Sequence, residues 1–174
     1  TNKIITNSPK ISRDLTKLIQ RKVDFAYSSI ISNNDFEGFN SKKRNEILSF
    51  IFVGRVSEMK GVFDLLNALL IYKRESKQNF KLTLVGKCDN TTKLKINDFI
   101  LKNKLKNNII LNGRVDSREE LYRLYSSSDL FILPSKTEGM PRVLWEAAIN
   151  SCPIIATNVG GISSVFENKK NIFL

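Results

Sequence analysis

The sequence predicts an α/β fold, a parallel β-sheet with helices on both faces, and three observations predict it. From Ile47 onward, apolar runs of strand length alternate with longer segments whose apolar residues recur at helical spacing, the rhythm of strand-helix-strand units. The strand runs are apolar at successive positions, as strands buried on both faces are. Gly54-Arg55, Gly86, Gly113-Arg114 and Glu138-Gly139 all fall in loops at the carboxyl ends of these runs, where ligands sit in open parallel sheets. No self-similarity at a period of roughly 20 to 50 residues accompanies the alternation, so a repeat architecture is not supported.

Taken in order, residues 3–6 read as a strand, Ser8-Pro9 as the start of a helix over 11–20, and 24–30 as a second strand. The Asn-, Ser- and charge-rich stretch 32–45 reads as a loop. A strand over 47–53 comes next, then the loop Gly54-Arg-Val-Ser-Glu-Met-Lys-Gly61, then a helix over 62–72 marked by Val62, Leu65, Leu66 and Leu69. Residues 80–85 form a strand and 86–90 its loop. Leu94, Ile96, Phe99, Ile100 and Leu105 mark a less regular helical segment, and 109–111 a third strand of this series. Asp116-Ser117 is suited to cap a helix over 118–125, with Glu119 and Glu120 well placed in its first turn. Strand 130–133, loop 134–139, a helix with Pro141 at its first position and strand 154–157 complete the pattern.

Length and composition bound the answer. A chain of 174 residues with 41% apolar content can bury one real core, and it is small for a complete two-domain enzyme. No apolar run is long enough to span a membrane, and the first residues lack the apolar region of a signal peptide. The start without Met and the apolar close on Asn171-Ile-Phe-Leu174 lead us to expect a fragment of a longer protein. Lysines and arginines outnumber acidic residues by 28 to 17, which suits a nucleic acid, an anionic membrane surface or a phosphorylated ligand. Most of the surplus is scattered through Lys-Asn-rich segments and reads as solvated surface. With no histidine and only Cys88 and Cys152, zinc spacing and Cys-His catalysis are excluded within the chain, and both thiols are expected to be buried.

Three groups of residues carry chemistry. The first amides of the helix after Gly139 have no partner within it, so Gly139, Met140, Arg142 and Val143 form a place for an anion such as phosphate. Arg55 and Lys60 supply two cations on a neighbouring loop, able to neutralise a departing diphosphate, and no Asp-x-Asp pair or acidic cluster suggests a divalent metal site. Glu138 precedes the helix and Glu146 lies inside it. Glu146 could pair with Arg142 four residues earlier, or accept hydrogen bonds from vicinal hydroxyls as the ribose-binding carboxylate of dinucleotide folds does. Gly160-Gly161 reads as a loop requiring close backbone approach, and Trp145 as a core or interdomain residue.

Glu138-Gly-Met-Pro-Arg-Val-Leu-Trp-Glu146, with seven residues between its glutamates, resembles the signature of the retaining GT-B glycosyltransferases of glycosyltransferase family 4. Gly54-Arg55 with Lys60-Gly61, and Asn158-Val-Gly160-Gly161-Ile162, match the same family in the same order, over about residues 47–174. Two departures are Pro141, where many members carry glycine, and Ser32-Asn-Asn-Asp35, where the family has an Asn-Gly-Val-Asp-like turn.

The resemblance implies the C-terminal, Rossmann-like, donor-binding half of a GT-B fold. Residues 1–45 would be linker and leading elements, and 46–174 the nucleotide-sugar-binding domain of a two-domain enzyme. It implies that Gly54, Arg55 and Lys60 hold the donor diphosphate, Glu146 the ribose, and Glu138 the sugar or the charge developing on it. Gly86, Arg114 and Val115 would lie toward the donor, the last two near the base, and Glu138, Arg55 and Lys60 would be the catalytic groups. No metal or other cofactor is expected, the nucleoside diphosphate sugar being substrate. The acceptor, a polysaccharide, lipid-linked glycan or similar, would be held by the other domain. The cytoplasm, including the inner face of the membrane through the basic surface, is the expected location, without nucleic acid. The rival readings are a sugar-nucleotide epimerase or phosphorylase of the same architecture, and a non-catalytic basic domain binding nucleic acid or membrane.

Overall fold

The computed structural model describes residues 4–6, 9–25, 47–76, 78–170 and 172–174. At the front, β1 (Ile5–Thr6) and β2 (Asp24–Phe25) pair in parallel, and α1 (Pro9–Ile19) supplies the crossover that parallel strands need. Ser12 Oγ donates to the Val23 carbonyl at 2.5 Å, and Thr16 Oγ1 accepts from the Val23 amide at 3.1 Å, so two small hydroxyls of α1 tie the helix to the chain entering β2. Residues 26–46, holding the expected loop at 32–45 and most of the expected strand at 24–30, lie outside the described residues.

The main sheet is built around β3 (Ile47–Val53). Its β-branched and aromatic residues suit an extended chain, and Phe50, Ile51, Phe52 and Val53 are all buried. Five strands run parallel in the order β5 (Ile109–Gly113), β4 (Asn79–Val85), β3, β6 (Leu130–Leu133), β7 (Ile154–Ala156). The chain therefore moves outward from β3 through α2 (Val62–Glu75) to β4 and through α3 (Asn90–Lys102) to β5. It then returns along α4 (Arg118–Ser127) to the other side of β3, and α5 (Arg142–Ile149) leads on to β7. This reversal opens a crevice beyond the carboxyl ends of β3 and β6, the topological switch point where open α/β sheets bind ligands.

Both faces of the sheet are covered. Phe50 packs edge-on against Tyr72 of α2 with centroids 6.1 Å apart, while Phe131 packs edge-on against Tyr125 of α4 at 5.5 Å. In the β3–β6 register Ile51 stands beside Phe131, so Phe50 and Phe131 point to opposite faces. Burying one such ring contributes about 1.5 to 3 kcal/mol. The start of β6 is pinned by Asp129, whose Oδ2 accepts from the Ser49 amide at 2.8 Å and the Ser49 hydroxyl at 3.0 Å, while its own amide donates to the Ser49 carbonyl at 2.7 Å. A side chain thus closes the ladder between two strands that are eighty residues apart in sequence and sets their register.

Two expectations need correction. Pro141 is the residue that caps α5, with an extended ψ of 124°, and Arg142 is the first helical residue. Its ring cannot donate to the helix, and the extended ψ of a capping position lets the loop enter from outside the helix axis. Of the two thiols only Cys152 is buried; Cys88 is half-buried, because β4 ends just before it and the chain there turns along the rim of the sheet.

Candidate functional site

Three loops at the carboxyl end of the sheet converge on the switch point. The 54–61 loop leaves β3 and makes a 3₁₀ turn (Glu58–Lys60) before α2. Gly61 closes that turn at φ 69°, and a Cβ there would lie 1.9 Å from the carbonyl oxygen of Pro134. Only glycine lets the loop after β3 lie directly on the loop after β6. The Lys136 amide adds a 3.0 Å bond to the Met59 carbonyl, so these two loops are joined through backbone.

This seam places two distant charges together. Lys60 Nζ donates to Glu138 Oε1 at 2.6 Å, with the glutamate side chain 9% exposed and the lysine side chain 29%. A carboxylate that buried needs a cationic partner, and Lys60 is that partner. From the other side, the loop after β7 presses on the same segment. Thr157 Oγ1 donates to the Ser135 carbonyl at 2.5 Å, the Gly161 amide donates to the Gly139 carbonyl at 2.7 Å, and a Cβ on Gly160 would lie 1.9 Å from the Glu138 carbonyl oxygen. The close approach expected of Gly160-Gly161 is to the backbone of Glu138 itself.

Beyond Glu138, α5 begins without a side-chain cap, whereas Asp89 caps α3 through the Thr92 amide at 2.8 Å and Ser117 caps α4 through the Glu120 amide at 3.2 Å. The first amides of α5, those of Arg142 and Val143, are thus left to whatever ligand the crevice receives. Met140 is buried under this turn, and Arg142 is exposed on it. One turn further on, Glu146 is half-buried, and its Oε2 accepts from the hydroxyl of Tyr125 at 3.2 Å. Burial pushes the Glu146 carboxyl above the ordinary glutamate range, while the Tyr125 hydrogen bond and the charges of Arg142 and Arg118 pull it back. The Arg142–Glu146 relation is therefore one of charge, and the direct contact belongs to Tyr125.

The remaining expected residues lie along the rim. Backbone bonds from the Gly54 amide to the Val85 carbonyl, 2.9 Å, and from the Gly86 amide to the Gly113 carbonyl, 2.7 Å, stack the ends of β3, β4 and β5 in a staircase. Gly86 and Arg114 line a cavity of about 340 Å³ with Lys87, Cys88 and Lys93, while Arg114 is ion-paired with Asp116 and Val115 packs against the core. Arg55 is exposed and has no ion pair among the described residues. Glu138 and Lys60 are thus brought into contact, and the α5 amides and Glu146 continue the same crevice. Gly86 and Arg114 form a separate part of the rim.

Sequence reasoning missed Tyr125, Thr157's bond to the loop, and Lys87, Cys88 and Lys93 on the cavity wall. Tyr125 carried a faint signal as the last apolar position of the helix expected over 118–125. Its partner lies on another helix, and helical spacing says nothing of that.

A model of the family described as glycosyl transferases group 1 matches residues 33–174. The chain belongs to this family. It is 29% identical over 173 residues to the Staphylococcus aureus capsular polysaccharide biosynthesis glycosyltransferase CapH, covering 98% of this chain and 47% of that protein. It is 34% identical over 125 residues to the Bacillus subtilis putative teichuronic acid biosynthesis glycosyltransferase TuaC, covering 71% of this chain and 28% of that one. The chain therefore spans less than half the length of these curated relatives. Among solved structures, Anabaena HepE in complex with UDP and glucose superposes with a TM-score of 0.77 at 20% identity, covering 99% of this chain and 48% of that one. WaaG, a glycosyltransferase involved in lipopolysaccharide biosynthesis, superposes with a TM-score of 0.77 at 19% identity, covering 94% and 46%. At such identities the likeness shows the fold, which is the Rossmann-like α/β fold of the GT-B glycosyltransferases.

Among the described residues no helix is long and apolar enough to cross a membrane.

Proposed function

We propose that this chain is the donor-binding half of a retaining glycosyltransferase that moves a sugar from a nucleoside diphosphate sugar to a polysaccharide or similar glycan acceptor. One observation carries the reading: the Lys60–Glu138 contact and the uncapped start of α5 lie in one crevice at the switch point, with Glu146 a turn away. Names of the relatives point the same way, to capsular polysaccharide and teichuronic acid, and HepE was solved with UDP and glucose.

In this reading the diphosphate lies on the amides of Arg142 and Val143 and takes charge from Lys60 and Arg55. As the glycosidic bond breaks, negative charge accumulates on the leaving phosphate, and preorganised cations stabilise it without solvent rearrangement. The diphosphate draws Lys60 away from Glu138, whose carboxylate then faces the sugar and the positive charge developing at its anomeric carbon. Ribose hydroxyls donate to Glu146, and the base lies toward Gly86, Arg114 and Val115. The whole enzyme adds an N-terminal domain with the acceptor site and works in the cytoplasm, at the inner face of the membrane where its glycan requires it. Neutralisation by two cations needs no metal.

The two glutamates separate in a simple experiment, calorimetric titration of the protein with UDP, GDP and ADP together with a transfer rate for each variant of the full-length enzyme. Glu146→Gln weakens nucleoside diphosphate binding by about 1 to 3 kcal/mol, the value of a hydrogen bond to a charged group. Glu138→Gln leaves that affinity nearly unchanged and slows transfer. No binding of any nucleoside diphosphate, or the opposite pattern in the two variants, overturns the reading.

A further inference from the structure

A ribose-binding carboxylate must present its free oxygen to the ligand and stay ionised while half-buried, and in this fold a residue of a different helix provides for both. Tyr125 sits in the last turns of α4 with no exposed surface, its ring wedged edge-on against Phe131 of β6 at 5.5 Å. A hydroxyl so deeply buried must find an acceptor, and two are within reach: Glu146 Oε2 at 3.2 Å and the Val143 carbonyl at 3.4 Å. The carboxylate is the stronger acceptor because it is charged.

Geometry then restricts Glu146. The ring is held by packing, so its hydroxyl is a fixed point, and the bond at Oε2 fixes the carboxylate's rotation about its own axis. Oε1 is left for a ligand hydroxyl. The Val143 carbonyl at 3.4 Å is the weaker, competing acceptor for the same single proton, so the hydroxyl's firm partner is Glu146.

From this arrangement we infer that Tyr125 is a positioning residue for donor binding, holding Glu146 in the rotamer that receives the nucleoside's vicinal hydroxyls. The inference rests on the ribose reading of Glu146. The groups bearing on the carboxylate are Arg142 on its own helix and Arg118 and Tyr125 on α4; Tyr122 and Cys152 lie close enough to act on Tyr125. Burial raises the Glu146 carboxyl, and the Tyr125 bond is the foremost influence lowering it, ahead of the two arginines. Removal of the hydroxyl leaves the carboxylate harder to ionise.

The test is titration of the protein with UDP, GDP and inorganic pyrophosphate across pH, for wild type, Tyr125→Phe, Glu146→Gln and the double variant. Tyr125→Phe should weaken binding of the nucleoside diphosphate by roughly 10- to 100-fold, the scale of one charged hydrogen bond. Pyrophosphate, which has no ribose, should bind Tyr125→Phe as it binds wild type. Acid loss of nucleotide affinity follows protonation of Glu146, so the variant should lose affinity at a higher pH than wild type. The double variant should be no weaker than Glu146→Gln alone, since the two residues act through one contact.

A second probe keeps the phenol. Replacing Tyr125 by 3-fluorotyrosine makes the hydroxyl a better donor and should move the acid limb to lower pH. Nucleotide affinity within twofold of wild type in Tyr125→Phe, additive losses in the double variant, or an acid limb unmoved by fluorination overturns the inference. If Glu146→Gln weakens nucleotide binding and Tyr125→Phe does not, the positioning role alone fails. If Glu146→Gln leaves affinity intact, the ribose reading fails and takes the positioning role with it.

Discussion

Lys60 and Glu138 hold each other at 2.6 Å with the Glu138 side chain 9% exposed, so each is already committed to an opposite charge before any ligand arrives. Arg55, one loop residue beyond β3, is exposed and has no such obligation. The two cations we assign to the diphosphate should therefore differ in what their loss does. In the complete enzyme, Lys60→Ala and Arg55→Ala should each lower kcat by roughly 10² to 10³, the scale of one preorganised transition-state contact. Only Lys60→Ala should also destabilise the fold, by about 1 to 3 kcal/mol, because it leaves a largely buried carboxylate without its partner. Chelation with EDTA should leave the rate unchanged. Steady-state rates and thermal melts decide the matter, and near-normal kcat in both variants, or collapse of activity on chelation, would defeat the metal-free assignment.

At the scale of elements, the loop that carries Glu138 is held by neighbours to which we assign no chemistry. Gly160 sits at φ 62° with its α-carbon against the Glu138 carbonyl oxygen, so a methyl group there would meet that oxygen at 1.9 Å and force either loop to move. Gly160→Ala should cost about 1 to 3 kcal/mol in stability, combining an unfavourable left-handed backbone with the clash. It should also slow transfer more than it weakens nucleotide affinity, because the displaced group is Glu138 and not Glu146. Equal loss of rate and affinity would contradict that placement. This contact also shows what was legible from sequence. β3 and β6 can be read to the residue because they leave apolar runs with sharp ends. Gly160-Gly161 can be read as a point of close approach, since glycine pairs there have few other uses. The object of the approach cannot, since Glu138 is more than twenty residues earlier and only the fold brings it near. Pro141 is ambiguous by one residue in the sequence because its fixed φ suits both the cap and the first turn, and ψ alone distinguishes them. The Tyr125–Glu146 bond was hidden for a further reason: it joins two helices whose mutual packing follows from the return of the chain past β3.

For the whole molecule, that return decides what this chain can do alone. By reversing direction between β5 and β6, the sheet gathers the loops after β3 and β6 side by side along one edge. Arg55 and Arg142 are exposed on that edge, and Lys60 keeps 29% of its side chain in solvent. A charged donor gains less from cations in water than from the same cations in an enclosed site, where the dielectric is low. The chain also spans only 47% of CapH and 48% of HepE, so comparable proteins have as much sequence again with which to cover such an edge. There is no histidine in the chain, which leaves carboxylates, lysines, tyrosines and thiols as its only proton-transfer groups. Closure of a second domain would exclude water and bring the acceptor to the face of the sugar next to Glu138. We therefore expect the 174-residue chain by itself to bind a nucleoside diphosphate and to transfer no sugar. The measurement pairs calorimetry on this chain with product analysis after incubation with UDP- and GDP-sugars, in the presence and absence of a glycan acceptor. Nucleotide binding with no transfer product is the expected result. Sustained transfer by the chain alone would mean that its own residues hold the acceptor and shield the reaction from water, and the division of labour between two domains would have to be abandoned.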